Sequence, residues 1–163
     1  MRKSKINNAF NNEIEYGLRT LVILLNIFPS SCDINKLIYL DYLLVHSGDF
    51  NSNLKSLHAP VPYRKEEIYI RRDLINKGIL LFAFKGLIKI IYSKNGIEYT
   101  VTEDAQPFVD DLNEEYTIKL FDRAKWISDN FIKYNLKMLI NLVNESSESK
   151  KQDIAFSVEF IKE

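Results

Sequence analysis

Residues 64–102 read RKEEIYIRRDLINKGILLFAFKGLIKIIYSKNGIEYTVT, and this stretch decides the fold. Its first part predicts a helix from Arg64 to Lys77, with Gly78 as the residue that ends it. Residues 79–82 fit a strand or a last helical turn equally well, because a short apolar run has no distinguishing period.

The second part of the stretch predicts a β-hairpin. Its strands would cover residues 86–93 and 97–102. The pair Asn95-Gly96 between them is typical of a type I′ turn, in which both central residues have positive φ. A helix followed directly by such a hairpin is the second half of a winged helix.

Two further helices are predicted before this stretch. The first would cover residues 12–28, and the second would begin after a capping Asp33 and run to about Ser47. The apolar face of the first helix comprises Ile14, Leu18, Leu21, Leu25 and Phe28, and that of the second comprises Ile34, Leu37, Ile38, Leu44 and Val45. The order helix, helix, loop, helix, hairpin predicts a winged helix-turn-helix.

Helices are also predicted after the hairpin. Thr102 or Asp104 would cap a short helix to Leu112, and a long helix would run from Glu114 to about Asn144. The fold class is therefore mainly α with a small β-hairpin, a winged helix-turn-helix with appended C-terminal helices. Its expected parts are a winged-helix domain (10–112), a helical extension (113–145), and a polar linker with a short strand-like tail (146–163).

The C-terminal part carries candidate partner-binding residues. A helix of that length would leave an apolar stripe uncovered, and such a stripe normally marks a partner site. The tail alternates apolar and polar residues, which suits a strand added to a partner's sheet edge or one folded back onto the chain's own hairpin. The candidates are Phe131, Tyr134, Met138 and Leu142 on the helix, and Phe156, Val158 and Phe160 in the tail.

Charge is distributed unevenly along a chain of zero net charge. Residues 55–94 carry nine basic and three acidic side chains, and residues 95–145 carry five basic and ten acidic ones. A basic middle can attract phosphate, and the third helix is the usual recognition helix of a winged helix. The candidates for DNA or partner contact are Lys65, Tyr69, Arg72, Asn76, Lys85, Lys89 and Lys94. A solvated face is the alternative.

Two charged residues fall among apolar helix positions. Asp41 lies in the apolar arc of the second helix, and Arg71 lies among apolar residues of the third. Because a lone buried charge is costly, we expect the two to form a structural ion pair, with Glu67 as a competing partner for Arg71. His46 and His58 are interpreted as structural residues.

Motifs for catalysis and for cofactor binding are absent from the sequence. It contains no phosphate-binding glycine loop, no paired C-x-x-C and no H-E-x-x-H. An acidic cluster, Asp110, Asp111, Glu114 and Glu115, is interpreted as a solvated patch and not as a metal site. We expect no enzyme activity, no cofactor and no metal. The lone Cys32, with no signal peptide or membrane span, favours a cytoplasmic protein.

Four stretches together resemble a known family. They are LIYLDYLLVHSGD (37–49), SLHAPVPYRKEEIYIRRDLINKGILL (56–81), GIEYTVTEDAQPFVDDL (96–112) and DRAKWISDNF (122–131). They are similar to the middle component of ABC-three-component bacterial defence systems of the Lamassu type. The resemblance covers roughly residues 10–131 and does not extend to residues 132–163.

The resemblance implies a small winged-helix subunit without catalytic residues of its own. Its partners would be an SMC-like ATPase and an effector, often a nuclease, with double-stranded DNA as a further contact. Such a subunit would bridge the ATPase and the effector in antiphage defence. The alternative function is a stand-alone winged-helix transcription regulator that binds a palindromic DNA site as a dimer.

Overall fold

The computed structural model describes residues 12–60 and 64–146, with only the backbone for residues 64–66. The described part is mainly α-helical and contains one two-stranded antiparallel hairpin, so the expected winged helix with appended helices is confirmed. The elements are α1 (Glu13–Ile27), α2 (Ile34–Val45), a 3-10 turn (Ser47–Asp49), α3 (Arg64–Phe84), β1 (Ile88–Ser93), β2 (Gly96–Val101), α4 (Ala105–Asp110), α5 (Glu115–Phe131) and α6 (136–146). None of the described helices has the length and apolarity needed to span a bilayer.

Helix α1 is the central helix of the fold. Asn12 caps it by accepting a hydrogen bond from the backbone N of Glu15 at 3.0 Å. The prediction of a single apolar face was wrong, because Ile14 and Phe28 are exposed while Arg19 is fully buried. The helix packs against α2, α3, α4, α5 and β2, and this surrounds it on most sides.

Helix α2 begins and is capped as predicted. The Asp33 carboxylate accepts a hydrogen bond from the backbone N of Lys36 at 2.8 Å, which satisfies a donor of the first helical turn. Its inward side includes Leu37, Leu44 and Asp41. The helix ends at Val45, and the 3-10 turn follows where the sequence predicted the last helical turn.

Helix α3 continues past Gly78 to Phe84, so the predicted end at Lys77 was wrong. Residues 79–82 are helical. Gly78 lies inside the helix because α1 approaches it closely: a Cβ at this position would lie 2.5 Å from the backbone N of Gly17. This glycine therefore permits helix packing and does not end the helix.

The hairpin forms, but its turn is not the predicted one. Ser93 pairs with Gly96, so the two residues between the strands are Lys94 and Asn95. Among the described residues only Gly86 and Gly96 have positive φ, at 76° and 116°. Because Asn95 has no positive φ, the type I′ turn centred on Asn95-Gly96 was a wrong prediction.

The C-terminal part consists of three helices. Asp104 occupies the N-cap position of α4 without a side-chain hydrogen bond. The predicted single helix from Glu114 to about Asn144 was wrong, since α5 ends at Phe131 and α6 begins at residue 136. The break has a local cause: the Asn135 side chain accepts a hydrogen bond from the backbone N of Met138 at 2.9 Å and caps a new helix.

Candidate functional site

Asp41 lies at the centre of a buried ion network that joins the first three helices. Arg19 of α1 donates from Nε to Asp41 Oδ1 at 2.6 Å and from Nη2 to Oδ2 at 2.9 Å. Arg71 of α3 donates from Nη1 to the same Oδ2. All three side chains are fully buried. The expected Asp41–Arg71 pair is therefore confirmed, and Arg19 is a second partner that the sequence did not reveal.

Each arginine also binds a carboxylate on its own helix. Arg19 Nη1 lies 2.9 Å from Glu15 Oε1, and Arg71 Nη2 lies 2.7 Å from Glu67 Oε1. Glu67 therefore does not compete with Asp41, because the two carboxylates bind different nitrogens of one guanidinium group. The result is a chain of alternating charge, and alternation of this kind is what makes buried charges tolerable.

One histidine lies at each end of this chain of charges. His46, which follows α2, has Nε2 at 3.6 Å from Glu67 Oε2. His58, in the loop before α3, has Nε2 at 2.9 Å from the Tyr116 hydroxyl, which itself donates to Glu15 Oε1 at 2.7 Å. These contacts tie the loop and α5 to the network. They support the interpretation of both histidines as structural.

Electrostatics within the network favour the charged carboxylates. Burial alone raises the pKa of Asp41, but Arg19 and Arg71 outweigh burial and hold this pKa below its ordinary value. The pKa of Glu67 is also lowered, because the contacts with His46 and Arg71 exceed the effect of burial. Asp41 and Glu67 are therefore ionised at neutral pH, and their ion pairs hold the three helices together.

A groove on the surface is the candidate binding site. It has a volume of about 610 Å³ and lies between the start of α2, the exposed side of α3 and the tip of the hairpin. Helix α3 contributes Tyr69, Arg72, Asp73 and Asn76. The other lining residues are Asp33, Ile34 and Asn35 at the start of α2 and Asn95, Gly96, Ile97 and Tyr99 of the hairpin.

Local contacts fix the groove's polar side chains. Arg72 Nη1 donates to the Asn35 side-chain oxygen at 2.6 Å and so joins α3 to α2 across the groove. Asp73 forms an exposed ion pair with Lys77 at 2.8 Å. The groove thus offers amides, both signs of charge and two tyrosine rings, which is a mixed surface and not a basic one.

The structure places the candidate residues for DNA or partner contact on different surfaces. Tyr69, Arg72 and Asn76 lie together in the groove, and Lys94 is exposed at the adjoining hairpin tip. Lys89 alternates with Ile90, the residue opposite Tyr99, and so lies on the hairpin face away from the groove. Lys85 is exposed just after α3, and the side chain of Lys65 lies outside the described residues. The seven candidates therefore do not form one face.

Two large exposed rings were missed by the sequence reasoning. Phe84 at the end of α3 is 92% exposed, and Tyr92 near the hairpin tip is 78% exposed. The predicted Tyr69 is 82% exposed. Leu80 and Ile97 add exposed aliphatic surface. Phe84 was overlooked because α3 was expected to end at Gly78; a helix continued to residue 84 would place it on the solvent side.

The predicted C-terminal stripe is largely covered. Phe131 is only 8% exposed, and its ring meets Trp126 and Tyr134 edge-on, with centroids 5.2 and 5.1 Å away. After the break, Leu139 and Val143 face the core while Met138 remains 44% exposed. Leu142 is partly buried. The tail residues Phe156, Val158 and Phe160 lie outside the described residues.

Within residues 12–60 and 64–146, no group of three or more His, Cys, Asp or Glu side chains is placed to hold a metal ion. The acidic cluster around Asp110 is exposed at the end of α4 and the start of α5.

Cys32 is buried beside β2, and burial raises the pKa of its thiol to about 12.

The described residues thus form a winged helix with a buried ion network and a mixed surface groove. Comparison with protein families identifies the family: the model of the ABC-three component (ABC-3C) system Middle Component 2 matches residues 9–153. This match spans most of the chain, so the chain belongs to that family. Neither the curated proteins nor the solved structures contain a match.

Proposed function

We propose that this protein is a non-catalytic bridging subunit of a bacterial antiphage defence complex of the Lamassu type. It would hold an SMC-like ATPase and an effector, for which a nuclease is the expected class, in one cytoplasmic assembly. The observation that carries the proposal is membership of the Middle Component 2 family, since a component of a three-component system acts through partner subunits.

The groove and two exposed rings of α3 support a docking role. Tyrosine and other aromatic side chains dominate the binding energy of many interfaces, because they bury a large area with few rotatable bonds. Tyr69 and Phe84 of α3 are each more than three-quarters exposed. A partner that covers both would remove two large rings from water.

The charges of the groove favour a protein partner over a DNA backbone. Phosphate contact needs an excess of basic side chains. Here Arg72 lies between Asp33 and Asp73, and Lys89 lies on the opposite face of the hairpin. Lys94 at the hairpin tip could still contact DNA. Such a contact would be secondary to the protein contact.

Co-purification from cells tests the proposal. The protein carries an affinity tag and is expressed with the products of the neighbouring genes. We expect an ATPase and an effector to co-purify with it in fixed ratio. Replacing Tyr69 and Phe84 by Ala should release at least one of them, whereas Ile118→Ala, an exposed residue of α5, should retain both. Retention of every partner by the double variant would remove the groove from the proposal.

The stand-alone regulator makes a different prediction. Such a protein binds a defined DNA site alone, with a Kd of about 10⁻⁸ M or tighter at physiological salt. The bridging subunit should show only weak binding of any sequence without its partners. Selection of binding sites from a random DNA pool distinguishes the two: enrichment of a palindrome by the isolated protein would establish the regulator.

A further inference from the structure

The hairpin has one covered edge and one open edge. Cys32, just before α2, exchanges both backbone hydrogen bonds with Tyr99 of β2, at 3.2 and 2.9 Å. Strand β2 is therefore flanked on both sides at this point. On the far side of β1, no backbone hydrogen bond arrives from any residue that the structure describes.

The register shows which groups of β1 are unpaired. In an antiparallel ladder, two opposite residues either exchange both hydrogen bonds or both point them away. Tyr99 directs its N–H and C=O to Cys32, so its partner Ile90 directs its own groups away from β2. Because the pattern alternates, Ile88 and Tyr92 do the same. The edge of β1 thus presents three donors and three acceptors to a further strand.

The side chains of β1 specify what such a strand should look like. Ile88, Ile90 and Tyr92 lie on the face that packs on the helices. Lys89, Ile91 and Ser93 lie on the outer face, where Ile91 is the one apolar residue. A strand that fits this edge must alternate apolar and polar residues in the same manner. Tyr92 is the residue with most apolar surface left for it to cover.

We propose that the open edge of β1 binds residues 154–160 of the same chain as a third strand. This segment, IAFSVEF, lies outside the described residues, and its sequence has the required pattern. Ile154, Phe156, Val158 and Phe160 would extend the apolar face beside Ile90 and Tyr92. Glu159 would then share the outer face with Lys89, the only charged residue of β1.

Tethering favours this occupant over the strand of another protein. The segment follows the described part of the chain after only seven residues, 147–153, which span at most about 25 Å when extended. Where such a tether reaches its site, it gives an effective concentration of the order of millimolar. A partner at micromolar concentration would need roughly a thousandfold higher intrinsic affinity to displace it. A covered edge also removes a site of strand-to-strand aggregation.

Amide hydrogen exchange in the full chain tests the proposal. Successive N–H groups of a strand point to opposite edges. The double variant Ser157→Pro, Val158→Pro removes two successive N–H groups, so one of the two would have faced β1. We expect the amides of Ile90 and Tyr92 to exchange at least about tenfold faster in this variant. The amides of Lys89 and Ile91, which bond to β2, should be unchanged and serve as internal controls. Ser149→Pro, Lys150→Pro, in the preceding linker, should change none of the four.

Three outcomes would overturn the proposal. The first is equal exchange of Ile90 and Tyr92 in the unmodified chain and the proline variant. The second is protection that grows with protein concentration, which assigns the edge to a second copy. The third is protection only after an ATPase or effector subunit is added, which assigns the edge to a partner's strand.

Discussion

Gly17 of α1 and Gly78 of α3 lie against each other with no side chain between them. A Cβ built on Gly78 would lie 2.5 Å from the backbone N of Gly17 and 2.7 Å from the backbone O of Glu13. Backbone atoms cannot move aside as a flexible side chain can. The spacing of these two helices, and with it the position of the groove on α3, therefore depends on a missing methyl group.

Gly78→Ala should therefore destabilise the protein although alanine is the better helix former. Helix propensity favours Ala by about 1 kcal/mol, but forcing two helices apart costs about 1–3 kcal/mol or more. We expect a net loss of about 1–2 kcal/mol in the free energy of unfolding, measured by urea denaturation. Asn76→Ala, on the exposed side of the same helix, should be neutral or slightly stabilising. Equal stability of both variants would show that the contact is not tight in solution.

The same pair shows how far the sequence predicted the fold. Hydrophobic period, the Asp33 cap and the hairpin pattern were sufficient for the order of the first three helices and the hairpin, because each is a local signal. The end of α3 was not predictable in this way. A glycine that ends a helix and a glycine that admits a neighbouring helix look alike in one sequence, and only the approach of Gly17 separates them.

The sequence predicted only part of the buried network, because only some of its residues interrupt a predicted apolar face. Asp41 and Arg71 each interrupt an apolar arc, so a partner for each could be inferred. Arg19 carried no such signal, because α1 was expected to have one apolar face with Arg19 outside it. The helix is in fact enclosed on most sides, and enclosure depends on how the other helices pack.

Asp41→Ala should be among the most destabilising single changes in the chain. It leaves Arg19 and Arg71 buried without their shared carboxylate, and stranding a buried charge costs about 3–5 kcal/mol. Denaturant unfolding measures the loss. The control is Asp73→Ala, which breaks only the exposed pair with Lys77 and should have little effect on stability, because solvent screens an exposed ion pair. Comparable losses in the two variants would contradict a central role for the network.

Acid should weaken the protein through the same carboxylate. The pKa of Asp41 is lower in the folded than in the unfolded state, so its contribution is complete above the unfolded value of about 3.9 and is lost as pH falls through the folded value. We expect the free energy of unfolding to decline below about pH 4. In Asp41→Asn this decline should be shallower, as measured by urea unfolding between about pH 2.5 and pH 6. An identical decline in the variant would assign the acid sensitivity to other carboxylates.

Cys32 should be chemically inert in the folded protein. The thiol is buried beside Tyr99, and burial raises its pKa to about 12, so almost no thiolate is present at pH 8. Reaction with a disulfide reagent should be at least about 100-fold slower than in guanidinium chloride. A variant with Cys32→Ala and Ser52→Cys, which moves the thiol to an exposed loop position, should react at the unfolded rate. Fast labelling of Cys32 without denaturant would reveal opening of the contact between Cys32 and β2.

The salt dependence of DNA binding separates the two uses of the groove. Each phosphate contact that a substitution removes should reduce the slope of log affinity against log salt concentration by about 0.9. If the groove binds protein, Arg72→Glu should weaken the capture of a partner subunit while the assembled complex keeps its salt slope for DNA. Lys125→Glu, exposed on α5, should alter neither quantity. A slope that flattens in Arg72→Glu alone would instead assign the groove to the DNA backbone, because the loss of a phosphate contact reduces the salt dependence of DNA binding.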